Sequence, residues 1–289
     1  KANQFGPISR RQPDGVAIGR ARERRCAKIP VHPPRELIEC GRNAAGGPRL
    51  LGDGNWGRAV TVVDSTGKSL WKGGAKFGVN GAHWGDFDGD GTDEMVVGMN
   101  GMGGLQAWSA DGQKLWSVRL GNVWDQAIVP ASEGHPARIL ATEAGGAVQV
   151  YDAQGNALAP LRPRGAYYAG MSACRTTGGA VQIAAQSDET TVFFDEAGKI
   201  AWTATAREDS GGWRANRLAA GDADGDGAPD WAFIDGSGRL VVASPAGEQF
   251  TALAHAADVE GFAIASRAPE PGVLVVLAES TLSACTLAR

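Results

Sequence analysis

VVDSTGKSLW at residues 62–71, AWSADGQKLW at 107–116, VYDAQGNALA at 150–159, FFDEAGKIAW at 193–202 and VASPAGEQFT at 242–251 are five versions of one segment. Each is an apolar strand, a polar turn closed by glycine, and a second strand. The turn glycines are Gly67, Gly112, Gly155, Gly198 and Gly247, spaced by 45, 43, 43 and 49 residues. Glycine suits this place because it enters φ > 0 without steric cost. A repeat near 45 residues that holds about four short strands is the signature of propeller blades.

The unit from Val79 to Arg119 parses most clearly. Its inner strand lies near Ala82–Trp84, the second near Met95–Gly98, the third near Leu105–Ser109 and the outer near Lys114–Val118. Similar units span about 123–161, 168–205 and 213–253. A last unit, 260–286, holds only three strands, at Gly261–Ala265, Gly272–Leu277 and Thr281–Cys285. Upstream, Arg49-Leu50-Leu51-Gly52 aligns with Met95-Val96-Val97-Gly98 at an offset of 46, which makes residues 35–72 a first unit. The expectation is an all-β, six-bladed propeller over residues 35–289, within bounds of five to seven blades. A basic N-terminal arm, residues 1–34, precedes it. An open edge strand is an aggregation liability. Gly15-Val16-Ala17-Ile18-Gly19 is therefore the candidate closing strand for the last blade, the alternative being that the arm only covers a face.

Composition agrees with this architecture and excludes others. Glycine numbers 42 of 289 residues, without the G-X-Y period of collagen. Scattered glycine costs roughly 1 kcal/mol at each helix-interior site, which argues against a helical bundle. The longest apolar run, Val273–Ala278, is too short to span a bilayer. Charge is divided unevenly. Residues 1–49 carry eleven Lys and Arg against four acids, so the remainder is strongly acidic within a net charge of −4. Residues 20–35 include Arg20, Arg22, Arg24, Arg25, Lys28 and Arg35, and the arm is expected to contact an acidic surface on a partner subunit or on the propeller itself. Nucleic acid is not expected, because the acidic body repels phosphate and no aromatic residues interleave with the arginines.

Two loops carry chemistry. Asp86-Phe-Asp88-Gly-Asp90-Gly-Thr92-Asp93-Glu94 is repeated as Asp222-Ala-Asp224-Gly-Asp226-Gly-Ala228-Pro-Asp230. Carboxylates at positions 1, 3 and 5 converge when glycines let the backbone curl, and a carbonyl at 7 with a carboxylate at 9 can close the shell. Hard oxygen donors in that number suit calcium. The loops are not EF-hands, since position 12 is Val97 or Phe233 and strands flank them. GDFDGDGTDEMVVG and GDADGDGAPDWAF closely resemble the calcium-binding repeats of the FG-GAP and VCBS families of integrin-like propellers. That resemblance implies two Ca2+ sites. The first would use Asp86, Asp88, Asp90, the Thr92 carbonyl and Glu94, with Asp93 competing for the last role. The second would use Asp222, Asp224, Asp226, the Ala228 carbonyl and Asp230.

Asp64-Ser-Thr-Gly67-Lys-Ser-Leu-Trp71, with Trp116 and Trp202 at equivalent places, also resembles the tryptophan-docking repeat of quinoprotein dehydrogenases. In that family such tryptophans staple adjacent blades. Ala159 and Thr251 replace two of them here.

The four cysteines, Cys26, Cys40, Cys174 and Cys285, form no CxxC and allow three disulfide pairings. They join the calcium loops in suggesting an extracytoplasmic protein. The four histidines form no recognisable catalytic spacing. His83 reads as a packed residue beside Trp84. The sequence thus points to a non-enzymatic, calcium-stabilised binding or structural subunit that offers its rim or its arm to another protein. The alternatives are a carbohydrate-binding or polysaccharide-lyase module, with Tyr167 and Tyr168 available to stack on a glycan, and a degenerate quinoprotein propeller.

Overall fold

The computed structural model describes residues 22–23, 38–41, 49–53, 59–64, 68–74, 77–132, 134–161, 168–187, 189–206, 218–253, 259–267, 270–278 and 281–286. All regular structure among them is β, arranged as six antiparallel sheets. The chain is a β-propeller, and each sheet is a blade. Blade 1 comprises β2 (Ile38–Gly41), β3 (Arg49–Asp53), β4 (Ala59–Val63) and β5 (Ser69–Gly74). Blade 2 comprises β6 (Val79–Gly85), β7 (Glu94–Met99), β8 (Leu105–Trp108) and β9 (Lys114–Val118). Blade 3 holds β10 (Val123–Val129), β11 (Arg138–Glu143) and β12 (Val148–Tyr151). Blade 4 holds β13 (Gly170–Arg175), β14 (Val181–Gln186), β15 (Thr190–Asp195) and β16 (Ile200–Thr205). Blade 5 holds β17 (Leu218–Gly221), β18 (Asp230–Ile234), β19 (Leu240–Ala243) and β20 (Gln249–Leu253). Blade 6 has β21 (Val259–Arg267), β22 (Glu270–Ala278) and β23 (Thr281–Thr286).

The last blade is completed by β1 (Arg22–Glu23), which pairs antiparallel with β23 through Arg22–Thr286 and Glu23–Cys285. The segment that does so is Arg22–Glu23; the expected Gly15–Gly19 lies outside the described residues. Inner strands of successive blades pack in chain order, β6 against β2, β10, and onward through β13 and β17 to β21.

The hairpin that defined the repeat recurs almost unchanged. In each turn the first residue (Asp64, Ser109, Asp152, Asp195 or Ser244) donates its amide to the carbonyl four positions on. Its side-chain oxygen accepts the amide of that same later residue. Gly112, Gly155, Gly198 and Gly247 sit at φ of 83°, 80°, 77° and 87°. A register shift follows the turn at the same place in blades 1, 2, 4 and 5.

Blade 3 departs from this plan. Its outer segment keeps the register at only two bridges, Tyr151–Ala157 and Val148–Leu161. Ala159 and Pro160 lie between. Proline is tolerated on an edge but restricts the residue before it, and the strand is interrupted there.

Among the described residues the core is divided into five seams, between successive blades from the first to the sixth. Between blades 1 and 2 it holds Val60, Val62, Met95 and Val97; between blades 2 and 3, Phe87, Leu105, Ile139 and Tyr151. Between blades 3 and 4 it holds Leu140, Tyr168, Ile183 and Phe194; between 4 and 5, Phe193, Trp231 and Phe233; between 5 and 6, Leu240, Phe262 and Leu274. Alternation along β4 and β8 feeds adjacent seams, as a period of two requires. Indoles close three seams at the rim. The Nε1–H of Trp71 donates to Ala110 O, that of Trp116 to Ala153 O and that of Trp202 to Pro245 O, at 2.9, 2.9 and 3.0 Å. These bonds bind each outer strand to the turn of the next blade.

Candidate metal centres

The two acidic loops connect the first and second strands of blades 2 and 5. Both are introduced by a glycine with no room for a side chain. A Cβ on Gly85 would lie 2.6 Å from Ile128 of blade 3, and one on Gly221 would lie 2.8 Å from Ile264 of blade 6. Close packing thus fixes where each loop leaves the sheet.

Beyond that glycine the hydrogen bonds match residue for residue. Asp86 accepts from Gly89 N at 2.6 Å and Gly91 N at 3.0 Å; Asp222 accepts from Gly225 N at 2.7 Å and Gly227 N at 3.0 Å. Asp88 accepts from Asp90 N as Asp224 does from Asp226 N, both at 3.1 Å. Asp90 accepts from Thr92 N at 2.7 Å and Asp226 from Ala228 N at 2.8 Å. Glu94 accepts from Phe87 N at 3.1 Å, and Asp230 from Ala223 N at 3.0 Å. Glu94, rather than Asp93, therefore stands where Asp230 stands. Gly89 and Gly91 both lie at φ 87°, and Gly225 and Gly227 both at 84°, the left-handed region that glycine enters freely.

This scaffold gathers carboxylates. One oxygen from each of Asp86, Asp88 and Asp90 lies within 4.8 Å of the others, and the same holds for Asp222, Asp224 and Asp230. Glu94 falls outside the first group and Asp226 outside the second. Thr92 and Ala228 occupy position 7 of their loops. Burial above all, with the charges of Asp88, Asp90 and Asp86, pushes the Glu94 carboxyl up to about 7 against the lowering bond from the Phe87 amide. Three carboxylates at such separations repel one another unless a cation lies among them. An all-oxygen donor set on a curled loop fits calcium.

The turns of blades 3 and 4 are joined by a side chain. The Arg175 guanidinium donates to Gly179 O and Pro136 O, both at 2.9 Å, and so joins the turns of the two blades. These turns also touch the acidic loops: Ala131 N donates to Asp86 O at 3.1 Å, and Thr177 reaches the neighbourhood of Gly227. An open cleft lined by Ser132, His135, Arg175 and Thr176–Gly179 lies between them.

Sequence reasoning missed Asp125. Its carboxylate joins three inner strands, accepting from Met171 N at 2.7 Å and Gln126 N at 2.9 Å, and lying 3.2 Å from His83 Nε2. A lone acid in an apolar strand gave no signal beyond its polarity. His83 is indeed packed, but against a carboxylate of the next blade as well as its own neighbours.

The glycan-stacking role foreseen for Tyr168 fails, because that side chain is 1% exposed within the seam between blades 3 and 4; Tyr167 lies outside the described residues. Cys174 is a free thiol, Cys285 is buried in the seam between blades 5 and 6, and Cys26 and Cys40 have no described side chains. No helix among the described residues is long and apolar enough to cross a membrane.

No family model and no curated relative matches the chain. Solved structures do. The N-terminal domain of BBS1 in complex with ARL6, from a mercury-soaked crystal, aligns with a TM-score of 0.62 and 13% identity over 87% of this chain and 79% of that one. The same complex from a lead-soaked crystal aligns with a TM-score of 0.57 and 10% identity over 91% and 94%. At that identity the likeness speaks for the fold. The extracytoplasmic location expected from sequence is withdrawn: the solved propellers of this shape point away from it.

Proposed function

We propose that this chain is a non-enzymatic β-propeller that holds one calcium ion in each of two blades and serves as a protein-binding subunit. The ligands are Asp86, Asp88, Asp90, the Thr92 carbonyl and Glu94 in blade 2, and Asp222, Asp224, Asp226, the Ala228 carbonyl and Asp230 in blade 5. The observation that carries this reading is the duplication of one hydrogen-bonded carboxylate scaffold, three blades apart. A solvated acidic turn has no reason to reproduce every backbone-to-carboxylate bond. The ion neutralises the clustered charge and locks the turn between the first two strands of its blade. The partner-binding half rests on the solved propellers of this shape, which are held in complex with another protein.

Binding to the folded state adds about 2.7 kcal/mol per site at a hundredfold excess over Kd. Chelator is expected to lower the melting temperature of the purified protein, and calcium to restore it. The double variant Asp88→Ala, Asp224→Ala should melt lower and no longer respond to chelator. A melting curve that chelator leaves unmoved would refute the cation reading while leaving partner binding open.

A further inference from the structure

Three rim slots of this propeller are filled by its own indoles. Each ring lies flat over a turn glycine of the next blade. A Cβ on Gly112, Gly155 or Gly247 would meet the ring of Trp71, Trp116 or Trp202 at 2.7, 2.8 or 2.9 Å. In each case the indole N–H donates to the carbonyl two residues before that glycine: Ala110, Ala153 and Pro245. The slot is thus defined by a bare Cα face and one carbonyl acceptor.

The turn of blade 4 is built in the same way. Asp195 Oδ1 accepts from Ala197 N and Lys199 N, and Gly198 sits at φ 77°. Yet no atom among the described residues lies within 4 Å of a Cβ placed on Gly198. The residue of blade 3 that should reach across is Ala159, which is exposed and too short. The interruption at Ala159–Pro160 falls at the same point, so the strand beside the slot is held only at its two ends. The carbonyl corresponding to Ala110, Ala153 and Pro245 belongs to Glu196.

We infer that the rim slot between blades 3 and 4, formed by Gly198, the Glu196 carbonyl and the short Ala159, binds a tryptophan side chain presented by another polypeptide. The molecule itself displays the occupant three times, with ring over glycine and N–H on carbonyl. Phenylalanine would cover the glycine but leave the carbonyl without its donor. Aliphatic side chains present no flat face. A tryptophan used in this way combines a large apolar area with one directed hydrogen bond, which is why it anchors many protein interfaces. The site lies at the outer rim and uses no residue of the acidic loops, so it goes beyond the calcium reading and does not depend on it.

The test is a titration of the full chain, labelled with 15N-glycine, against N-acetyltryptophanamide, with N-acetylleucinamide as control. The Gly198 amide is expected to shift saturably with the tryptophan compound and at least tenfold more weakly with the leucine one. Chelator should leave that titration unchanged. The variant Ala159→Trp should fill the slot from within: its added indole should emit at shorter wavelength, the melting temperature should rise, and the Gly198 response should vanish. An unmoved Gly198 amide in the wild-type titration overturns the proposal, whatever the variant does. So does an Ala159→Trp protein that folds but keeps the wild-type response at Gly198.

Discussion

At the scale of single residues, aspartate does most of the specifying. Asp86 and Asp222 each accept from two glycine amides and so shape their loops by themselves. Asp235 shows the same habit where no cation is expected. Burial alone would raise its carboxyl. Hydrogen bonds from Ser237 Oγ at 2.6 Å, from Arg239 N at 3.0 Å and from the Arg239 guanidinium outweigh that effect and hold it below the ordinary range. A carboxyl lowered on folding stabilises the folded state above its unfolded value of 3.8 and loses that contribution as pH falls through the lowered value. Asp235→Asn is therefore expected to melt lower at neutral pH and to lose part of the wild-type decline in melting temperature below about pH 4. Parallel acid limbs for the two proteins would show that the carboxylate carries no such linkage. The sequence exposed the aspartates of the acidic loops through their spacing. It left Asp93 against Glu94 undecided, because adjacency in the chain says nothing about which carboxylate meets the Phe87 amide.

At the scale of elements, the hairpin is the unit that repeats, and the tryptophan after it is the unit that joins. Trp116 reaches from β9 to the turn of blade 3 with both its ring and its N–H. These two contributions separate by substitution. Trp116→Phe keeps an aromatic ring over Gly155 and removes the bond to Ala153 O, with an expected loss of about 1 kcal/mol. Trp116→Ala also empties the seam and should lose about 3 kcal/mol. Chemical denaturation of both proteins would decide; equal losses would mean that the hydrogen bond, not the packing, carries the joint. The hairpins were legible because glycine and tryptophan recur at fixed offsets. The interruption of blade 3 was written in Ala159–Pro160 but overlooked, because the count of blades survives it. The tying of blades 3 and 4 by Arg175 could not be read at all, since its acceptors are backbone carbonyls, which every sequence has.

At the scale of the molecule, a ring of seams needs its ends joined. β23 would be an open edge without β1, and open edges recruit other chains. The closing residues, Arg22 and Glu23, are charged and gave no apolar signal, because a strand can pair through its backbone whatever its side chains. That separates the arm's charge from its closing role. Replacing Arg22 and Glu23 by glutamine keeps the backbone pairing to β23 and should change stability by no more than about 0.5 kcal/mol. Deleting residues 1–34 removes the strand itself, and the truncated protein is expected to melt lower and to scatter light increasingly with concentration as β23 finds other partners. Salt should leave the wild-type melting temperature little changed, because the hydrogen bonds of β1 to β23, unlike exposed charge pairs, are not screened. If instead the double glutamine variant falls as far as the deletion, and salt weakens the wild type alike, then the arm is held by its charge against the acidic propeller, and closure by β1 is incidental.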